Sequence, residues 1–147
     1  MRMLTTIAAA AAMTAFGLSA AQADRTSAPE GASVYFIAPA NGDTVSNPVS
    51  VKFGLSGMGV APAGVENENT GHHHLLVNVP ESEIDFDNPL PAYQEASEAV
   101  IHFGGGQTET TVELPIGTHE LRLLVADHNH VPHDPPVMSE TITVIVK

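Results

Sequence analysis

Two clusters of histidine are the residues in this chain best suited to chemistry. The 147-residue sequence contains eight histidines and no cysteine, and six of the histidines lie at positions 72–74 and at positions 128, 130 and 133. Neutral imidazole is a common ligand of copper and zinc, and Asp127 and Asp134 flank the second cluster. The pattern indicates binding of a transition metal rather than catalysis. The lack of cysteine excludes thiolate zinc sites, cysteine nucleophiles and redox pairs.

A β-strand through the first cluster would separate its three histidines. Successive side chains point to opposite faces of a strand, so His72 and His74 share one face, whereas His73 lies with the apolar Leu75 on the other. An H-x-H pair places two imidazoles about 6–7 Å apart at Cα, close enough to hold one ion. His102 would supply a third nitrogen if its strand is a neighbour. For His73 we expect burial with a hydrogen bond to backbone.

The second cluster lies in a segment that prolines at positions 132, 135 and 136 restrict in conformation. Fixed backbone angles reduce the entropy that a binding loop loses when it is ordered. In the alternative interpretation, Asp127, Asn129 and Asp134 organise turns and the histidines are merely solvated. The isolated His119 is expected to be structural or solvated. Together, the predicted metal ligands are His72, His74, His102, His128, His130 and His133.

The set of donors limits the choice of metal. Imidazole with an occasional carboxylate suits Cu(II) or Zn(II), so copper or zinc is the expected cofactor, with copper preferred. Met58 and Met138 are candidate thioether ligands for Cu(I), and Met138 is the better one because it adjoins the second cluster. Because ligating imidazoles must be neutral, metal affinity is expected to fall as the pH drops through about 6 to 7.

Other motifs favour structural roles. Alternating acidic residues at positions 81, 83, 85 and 87 lack the glycine and final glutamate of an EF-hand loop, so a solvated loop is expected. Three glycines at positions 104–106 lack a phosphate-binding pattern and predict a hairpin turn. No G-x-S-x-G motif surrounds a serine, which leaves a metal-dependent enzyme, with Glu109 as the base, as the catalytic alternative.

The first residues predict export. Arg2 precedes an apolar, alanine-rich stretch at 7–20, and the small residues at 21–23 mark a cleavage site before Asp24. This pattern is typical of a secretory signal peptide over residues 1–23, which implies a periplasmic or secreted protein without a membrane span after cleavage. A flexible leader is expected at 24–32, followed by a single domain over 33–147. The formal charge of −12 makes nucleic acid and anionic lipid poor partners.

Short runs of β-branched and aromatic residues, separated by glycine, proline and asparagine, predict about seven strands. This pattern favours an all-β fold, an antiparallel immunoglobulin-like β-sandwich, with a small barrel as the alternative. Four alternate residues, Val49, Val51, Phe53 and Leu55, are predicted to face the core. The predicted strands cover residues 34–37, 49–55, 72–79, 99–103, 108–114, 119–126 and 140–146.

Two resemblances accompany this prediction. Residues 34–55 and 117–146 resemble the opening and closing strands of bacterial immunoglobulin-like modules. The motifs GHHHLL at 71–76, HFGGGQTET at 102–110 and HDPPVMSE at 133–140 resemble a family of short exported bacterial proteins called domain of unknown function 4399. The resemblance implies the fold and export, and the family's name supplies no function.

Three classes of function follow from the sequence. The first is an exported protein that binds or delivers a metal ion, with that ion and another periplasmic or envelope protein as its partners. The second is an immunoglobulin-like interaction or structural module whose histidines only organise loops. The third is a small metal-dependent enzyme.

Overall fold

The protein is described by a computed structural model that covers residues 24–94 and 98–147. The predicted signal peptide, residues 1–23, lies outside the described residues. The regular secondary structure of the described chain is β-strand, apart from one short 3-10 helix at Glu81–Glu83. Its eleven strands are β1 Ser33–Ala38, β2 Thr44–Val45, β3 Val49–Ser56, β4 Gly59–Val60, β5 Thr70–Val77, β6 Tyr93–Gln94, β7 Ala99–His102, β8 Glu109–Val112, β9 Gly117–Ala126, β10 Pro132–Met138 and β11 Ile142–Val146.

The strands form two sheets, which confirms the predicted all-β sandwich. The smaller sheet has the order β1-β3-β8, and the larger has the order β2-β11-β9-β5-β7-β6, with β10 beside β9 and β4 beside β5. The pairs are antiparallel except for β2 with β11 and β4 with β5. Strand β5, which carries the first histidine cluster, therefore lies inside the larger sheet between β9 and β7.

The main core lies between the two sheets. Val49, Val51 and Phe53 are buried on the inner face of β3, as the alternation predicts, and Leu55 is partly buried against the same cluster. The larger sheet contributes apolar residues from the inner faces of β5 and β9, including Leu75 and Val77, to the same cluster. Burying one such side chain contributes about 1.5–3 kcal/mol, so this layer positions β5 firmly.

The glycines at 104–106 do not form the predicted hairpin. Strand β7 pairs with β5 in the larger sheet, whereas β8 pairs with β3 in the smaller one, so the glycine turn connects the two sheets. Backbone hydrogen bonds continue both pairings toward the turn, from Phe103 N–H to the His73 carbonyl and from Phe53 N–H to the Thr108 carbonyl. The glycine pattern predicted the turn correctly and the pairing wrongly, because a turn limits the path of the chain without choosing the neighbour of each strand.

Strand β10 occupies a segment that was expected to be a loop. Its ends pair with β9, Pro132 opposite Ala126 and Met138 opposite Leu124, and the register shifts between them. The exposed Pro135 and Pro136 lie in that irregular stretch. Proline has no backbone N–H to donate to a hydrogen bond between strands. It is therefore tolerated where the register is broken and its nitrogen needs no partner.

The outer face of the larger sheet is covered by the chain between β5 and β6. Leu76 on β5, Val100 on β7 and Leu124 on β9 form a second apolar cluster. Side chains of the covering segment, residues 78–92, pack on it; these are Val79, Ile84, Phe86 and Leu90. Because both faces of β5 are covered, residues 71–77 are all buried, including the three histidines.

Residues 24–32, expected to be a flexible leader, lie against the domain. Ser27 forms a parallel bridge with Asp134, the Ala28 N–H donates to the Asp134 carbonyl, and the Asp134 N–H donates to the Thr26 carbonyl. Paired backbone groups of this kind order a segment that sequence composition alone describes as flexible. In the described part of the chain, no helix has the length and apolar character needed to cross a membrane.

Candidate metal centre

Strands β5 and β7 bring three predicted ligands together on the outer face of the larger sheet. His72 lies opposite Ala126, and His74 lies opposite Leu124 on one side and His102 on the other. Directly paired residues project to the same face of a sheet. The condition that sequence left open, that the strand of His102 adjoins the first cluster, is therefore met.

The tight turn between β9 and β10 adds a fourth histidine. His130 N–H donates to the Asp127 carbonyl, and Asp127 N–H donates to the Val131 carbonyl. His130 has φ of 68°, in the left-handed region that side chains other than glycine seldom adopt. The covering segment is tied to this turn, because Leu90 N–H donates to the His130 carbonyl.

Three of the imidazoles, those of His72, His74 and His102, lie close enough to share one ion, and the ring of His130 stands beside them. Candidate ligand atoms of His72, His74 and His102 all lie within 4.8 Å of one another. Ring centroids of His72 and His74 are 4.9 Å apart, and the His130 centroid lies 4.7 Å from that of His102 and 5.1 Å from that of His72. The His130 centroid lies 6.3 Å from that of His74. Nitrogens around a tetrahedral zinc are about 3.3 Å apart, given Zn–N bonds of about 2.0 Å, so the rings, and that of His130 above all, would move closer together around an ion.

Most ring nitrogens of His72, His74 and His102 are buried without hydrogen-bond partners. His72 and His74 are 0% exposed, and neither ring nitrogen of either residue has a partner in the described chain. The Nε2 atom of His102 is also buried and unpaired. Leaving a buried polar group unpaired costs about 1–3 kcal/mol, so a folded protein seldom keeps several together. Coordination of a metal ion would give one nitrogen of each imidazole a partner and remove that part of the cost, so the residues fit a metal.

Burial also keeps His72, His74 and His102 uncharged. Desolvation, followed by the repulsion of neighbouring histidines, lowers the pKa of His74 to about 3 and that of His72 to about 4. Burial, followed by the charge of His130, lowers the pKa of His102 as well. These imidazoles are therefore neutral at physiological pH, which is the form that coordinates a metal.

Asp127 is the carboxylate that organises the turn. Its Oδ1 accepts hydrogen bonds from the backbone N–H groups of Asn129 and Val131, and its Oδ2 accepts one from the Thr26 hydroxyl. Burial raises the pKa of Asp127, but these hydrogen bonds outweigh it and leave the pKa below its ordinary value. The charge of Asp127 in turn favours the protonated form of His72, against the larger opposing effect of burial.

A glycine makes room for His102. A Cβ atom added at Gly104 would lie 2.3 Å from Cε1 of His102, far inside van der Waals contact. At the next residue, Gly105, the nearest atom to an added Cβ is the amide end of Gln107 at 3.1 Å. The requirement for glycine at 104 therefore comes from the ring of His102. Sequence analysis missed this role, although the glycine stands only two residues from the histidine.

Two predicted ligands lie outside the four-histidine cluster, which we define as His72, His74, His102 and His130. His128 is partly exposed, and its Nε2 is 2.8 Å from the side-chain amide nitrogen of Asn129. His133 is buried beside Gly71, with Nδ1 3.5 Å from the Val125 carbonyl. The structure thus separates the second sequence cluster into three environments.

The remaining histidines are placed in the framework. His73 is buried on the core side, with its ring centroid 5.1 Å from that of Phe53, and burial lowers its pKa to about 4 while the backbone of Gln107 raises it slightly. Both ring nitrogens of His73 lack a hydrogen-bond partner, so the predicted hydrogen bond to the backbone is not formed with normal geometry. His119 is structural, as predicted, since its ring nitrogens contact Asn78 and the Pro115 carbonyl.

Other candidate groups lie away from the cluster. Met58 packs on the main core, and Met138 lies two strands from His74 in the same cross-strand row, about 10 Å away at a strand spacing of 4.8 Å. The proposed catalytic base, Glu109, is exposed on the smaller sheet and pairs with Lys52 at 4.0 Å. The cluster therefore contains nitrogen donors alone.

The fold and the cluster define a β-sandwich protein with four neighbouring histidines, two of them fully buried, on the outer face of its larger sheet. A family model described as Domain of unknown function (DUF4399) matches residues 51–147. The chain belongs to that family, as its motifs predict. The match includes strands β5 and β7, which carry His72, His74 and His102, and the turn that carries His130. No curated protein and no solved structure matches the chain.

Proposed function

We propose that this protein is an exported metal-binding protein that holds one Cu(II) ion, with Zn(II) as the alternative, in the four-histidine cluster. The carrying observation is the set of buried imidazole nitrogens without hydrogen-bond partners. Such a set is costly in a metal-free protein, and a bound metal would give one nitrogen of each ring a partner. Three of the ligands stand on paired strands of a sheet, which holds them in a fixed arrangement.

The all-nitrogen donor set supports the choice of metal. Imidazole suits Cu(II) and Zn(II), whereas Cu(I) favours the softer thioether of methionine. Met138 stands two strands from His74 and Met58 packs on the main core, so neither belongs to the donor set. We therefore expect Cu(II) to bind more tightly than Zn(II), in accordance with the general order of stability for these ions.

Export and delivery complete the proposal. The predicted signal peptide at 1–23 would take the protein to the periplasm or beyond, where a chain without cysteine is unaffected by oxidising conditions. His102 and His130 are only partly buried, whereas His72 and His74 are fully buried. A metal ion would therefore enter and leave from the side of His102 and His130, and another envelope protein could receive it there.

Metal analysis of the mature chain tests the proposal. The chain is purified without a histidine tag, stripped with a chelator, titrated with Cu(II) or Zn(II) and analysed for bound metal. We expect one tightly bound ion per chain and, for Cu(II), an electron paramagnetic resonance spectrum with splittings from several nitrogens. Failure to retain either ion after desalting would contradict the proposal and favour an interaction module without metal.

A glycine substitution tests the geometry around His102. Gly104→Ala is expected to weaken metal binding about 10- to 100-fold, the range found when a group that orients a ligand is lost, because the new methyl group displaces the His102 ring. Gly105→Ala is the matched control, since it introduces the same methyl group one residue away, against a flexible amide. Equal affinities of the two variants, measured by chelator competition, would remove His102 from the ligand set.

A further inference from the structure

The segment at 25–28 contacts strand β10 and the covering segment, residues 78–92. Arg25 donates from Nε to the Pro132 carbonyl at 3.1 Å and from a terminal nitrogen to the His133 carbonyl. The same guanidinium lies 3.7 Å from a carboxylate oxygen of Asp134 and 3.9 Å from one of Asp87, and it stacks over Phe86. Arg25 thus joins β10 to the covering segment.

One hydrogen bond links this segment to the turn that carries His130. The Thr26 hydroxyl donates to Oδ2 of Asp127 at 2.7 Å. The other carboxylate oxygen, Oδ1, holds the turn through the N–H groups of Asn129 and Val131 at 2.9 and 3.0 Å. Asp127 is only 5% exposed, so water does not readily replace the Thr26 hydroxyl.

We propose that Thr26 is a positioning residue for the fourth metal ligand, and that residues 25–28 form a clasp that controls how long the metal stays bound. The inference rests on the proposed function and extends it from binding to regulation of release. His72, His74 and His102 belong to the sheet, whereas His130 belongs to the turn in a strained backbone conformation. The turn is therefore the part of the site whose geometry depends on side-chain contacts.

Loss of the Thr26 hydroxyl would affect the site through Asp127. The carboxylate would keep a buried oxygen without a partner, and it would relieve that cost by rotating away from the Asn129 and Val131 N–H groups. The turn would then keep its backbone hydrogen bonds, from the His130 N–H to the Asp127 carbonyl and from the Asp127 N–H to the Val131 carbonyl. It would lose the side-chain contacts that help to hold His130 toward the other three rings. Groups that orient a metal ligand from the next layer contribute about 10- to 100-fold to affinity. We expect an effect of that size, mainly as faster release of the metal.

The experiment compares Thr26→Val with Thr26→Ser in the full mature chain. Valine keeps the shape of threonine without the hydroxyl, and serine keeps the hydroxyl. Release of Cu(II) to an excess of chelator is followed by stopped-flow absorbance. We expect Thr26→Val to release the ion about 10- to 100-fold faster than the native chain, and Thr26→Ser to release it at nearly the native rate.

A double-mutant cycle with His130→Asn separates positioning from general destabilisation. Asparagine tolerates the left-handed backbone of residue 130 and removes the imidazole. If Thr26 acts through His130, then Thr26→Val should add little to the effect of His130→Asn. Full additivity of the two effects would overturn the inference, as would equal release rates for Thr26→Val and Thr26→Ser.

A further control removes one hydrogen bond elsewhere. Asn41 accepts a hydrogen bond from the Thr143 N–H, next to β11 and away from the clasp, and Asn41→Ala should leave the release rate unchanged. If the native chain itself retains no metal, the proposed function fails. If the native chain binds metal and Thr26→Val behaves like Asn41→Ala, only the clasp is wrong.

Discussion

His74→Leu is expected to abolish metal binding and to stabilise the metal-free protein. His74 contributes one of the nitrogens that lie within 4.8 Å of one another, and it is fully buried in the centre of the sheet. Leucine has a similar volume and no ligand atom. The loss of affinity should exceed the 100-fold effect of removing an orienting group, because a ligand itself is lost. Isothermal titration with Cu(II) measures this change.

The stability of the metal-free protein should change in the opposite direction. Both nitrogens of His74 are buried without hydrogen bonds, and Leu76 and Leu124 nearby belong to an apolar cluster that leucine would extend. Removing an unpaired buried polar group should raise the free energy of unfolding by about 1–3 kcal/mol. Urea denaturation of the metal-free variant and the native chain measures it. Metal affinity should fall while the stability of the metal-free protein rises, because the nitrogens of His74 that are available to a metal are unpaired and destabilising when no metal is bound.

His73→Leu is the matched control. His73 is the adjacent residue on the same strand, is equally buried and also lacks hydrogen bonds, but it faces the main core and packs against Phe53. His73→Leu should therefore stabilise the metal-free protein while leaving metal affinity within a fewfold of native. Loss of binding in both variants, or in neither, would contradict the assignment of the outer face as the metal site.

The second large effect concerns pH. Burial lowers the pKa values of His72, His73 and His74 to about 4, 4 and 3, from an ordinary 6.5. Between about pH 4 and 6.5, the unfolded chain binds protons at these positions that the folded chain does not. Stability therefore rises with pH across this window and is lost as the pH falls from 6.5 toward 4. We expect the metal-free protein to unfold on mild acidification.

The number of protons provides the measurement. Urea unfolding at several pH values between 4.5 and 7.5 gives the change of the unfolding free energy with pH. Near pH 5, this slope should correspond to an uptake of nearly three protons on unfolding, one at each of the three histidines. His73→Leu should reduce that uptake by about one proton. A free energy of unfolding that does not change between pH 5 and 7 would show that the three histidines are accessible to protons in the folded protein.

Metal affinity should follow the same lowered pKa values. An ordinary imidazole would make affinity fall as the pH drops through about 6 to 7, which is the expectation from sequence. Because His72 and His74 stay neutral to pKa values of about 4 and 3, the affinity of the folded protein should change by less than tenfold between pH 7.5 and 6 and should fall steeply below about pH 5. Competition with a chelator of known pH dependence measures this. A tenfold loss of affinity between pH 7.5 and 6 would contradict it.

The sequence by itself determined the local properties of this protein. Alternation along a strand placed His72 and His74 on one face and His73 on the other, because the side-chain period of a strand is fixed by its backbone geometry. The same period predicted the burial of Val49, Val51 and Phe53. The turn at 104–106 was also predicted, since glycine clusters interrupt strands wherever they occur.

Only the tertiary structure decided which distant residues meet. The sequence pattern groups His128, His130 and His133, but the first two lie in the tight turn and His133 lies on β10. The three side chains therefore reach different surroundings, and only His130 joins the cluster. The pairing of β7 with β5 brought His102 to His74, and a hairpin with β8 would have placed it elsewhere. The roles of Thr26 and Gly104 depend on contacts with residues that no local pattern specifies, because strand order and register are set by packing of the whole sandwich.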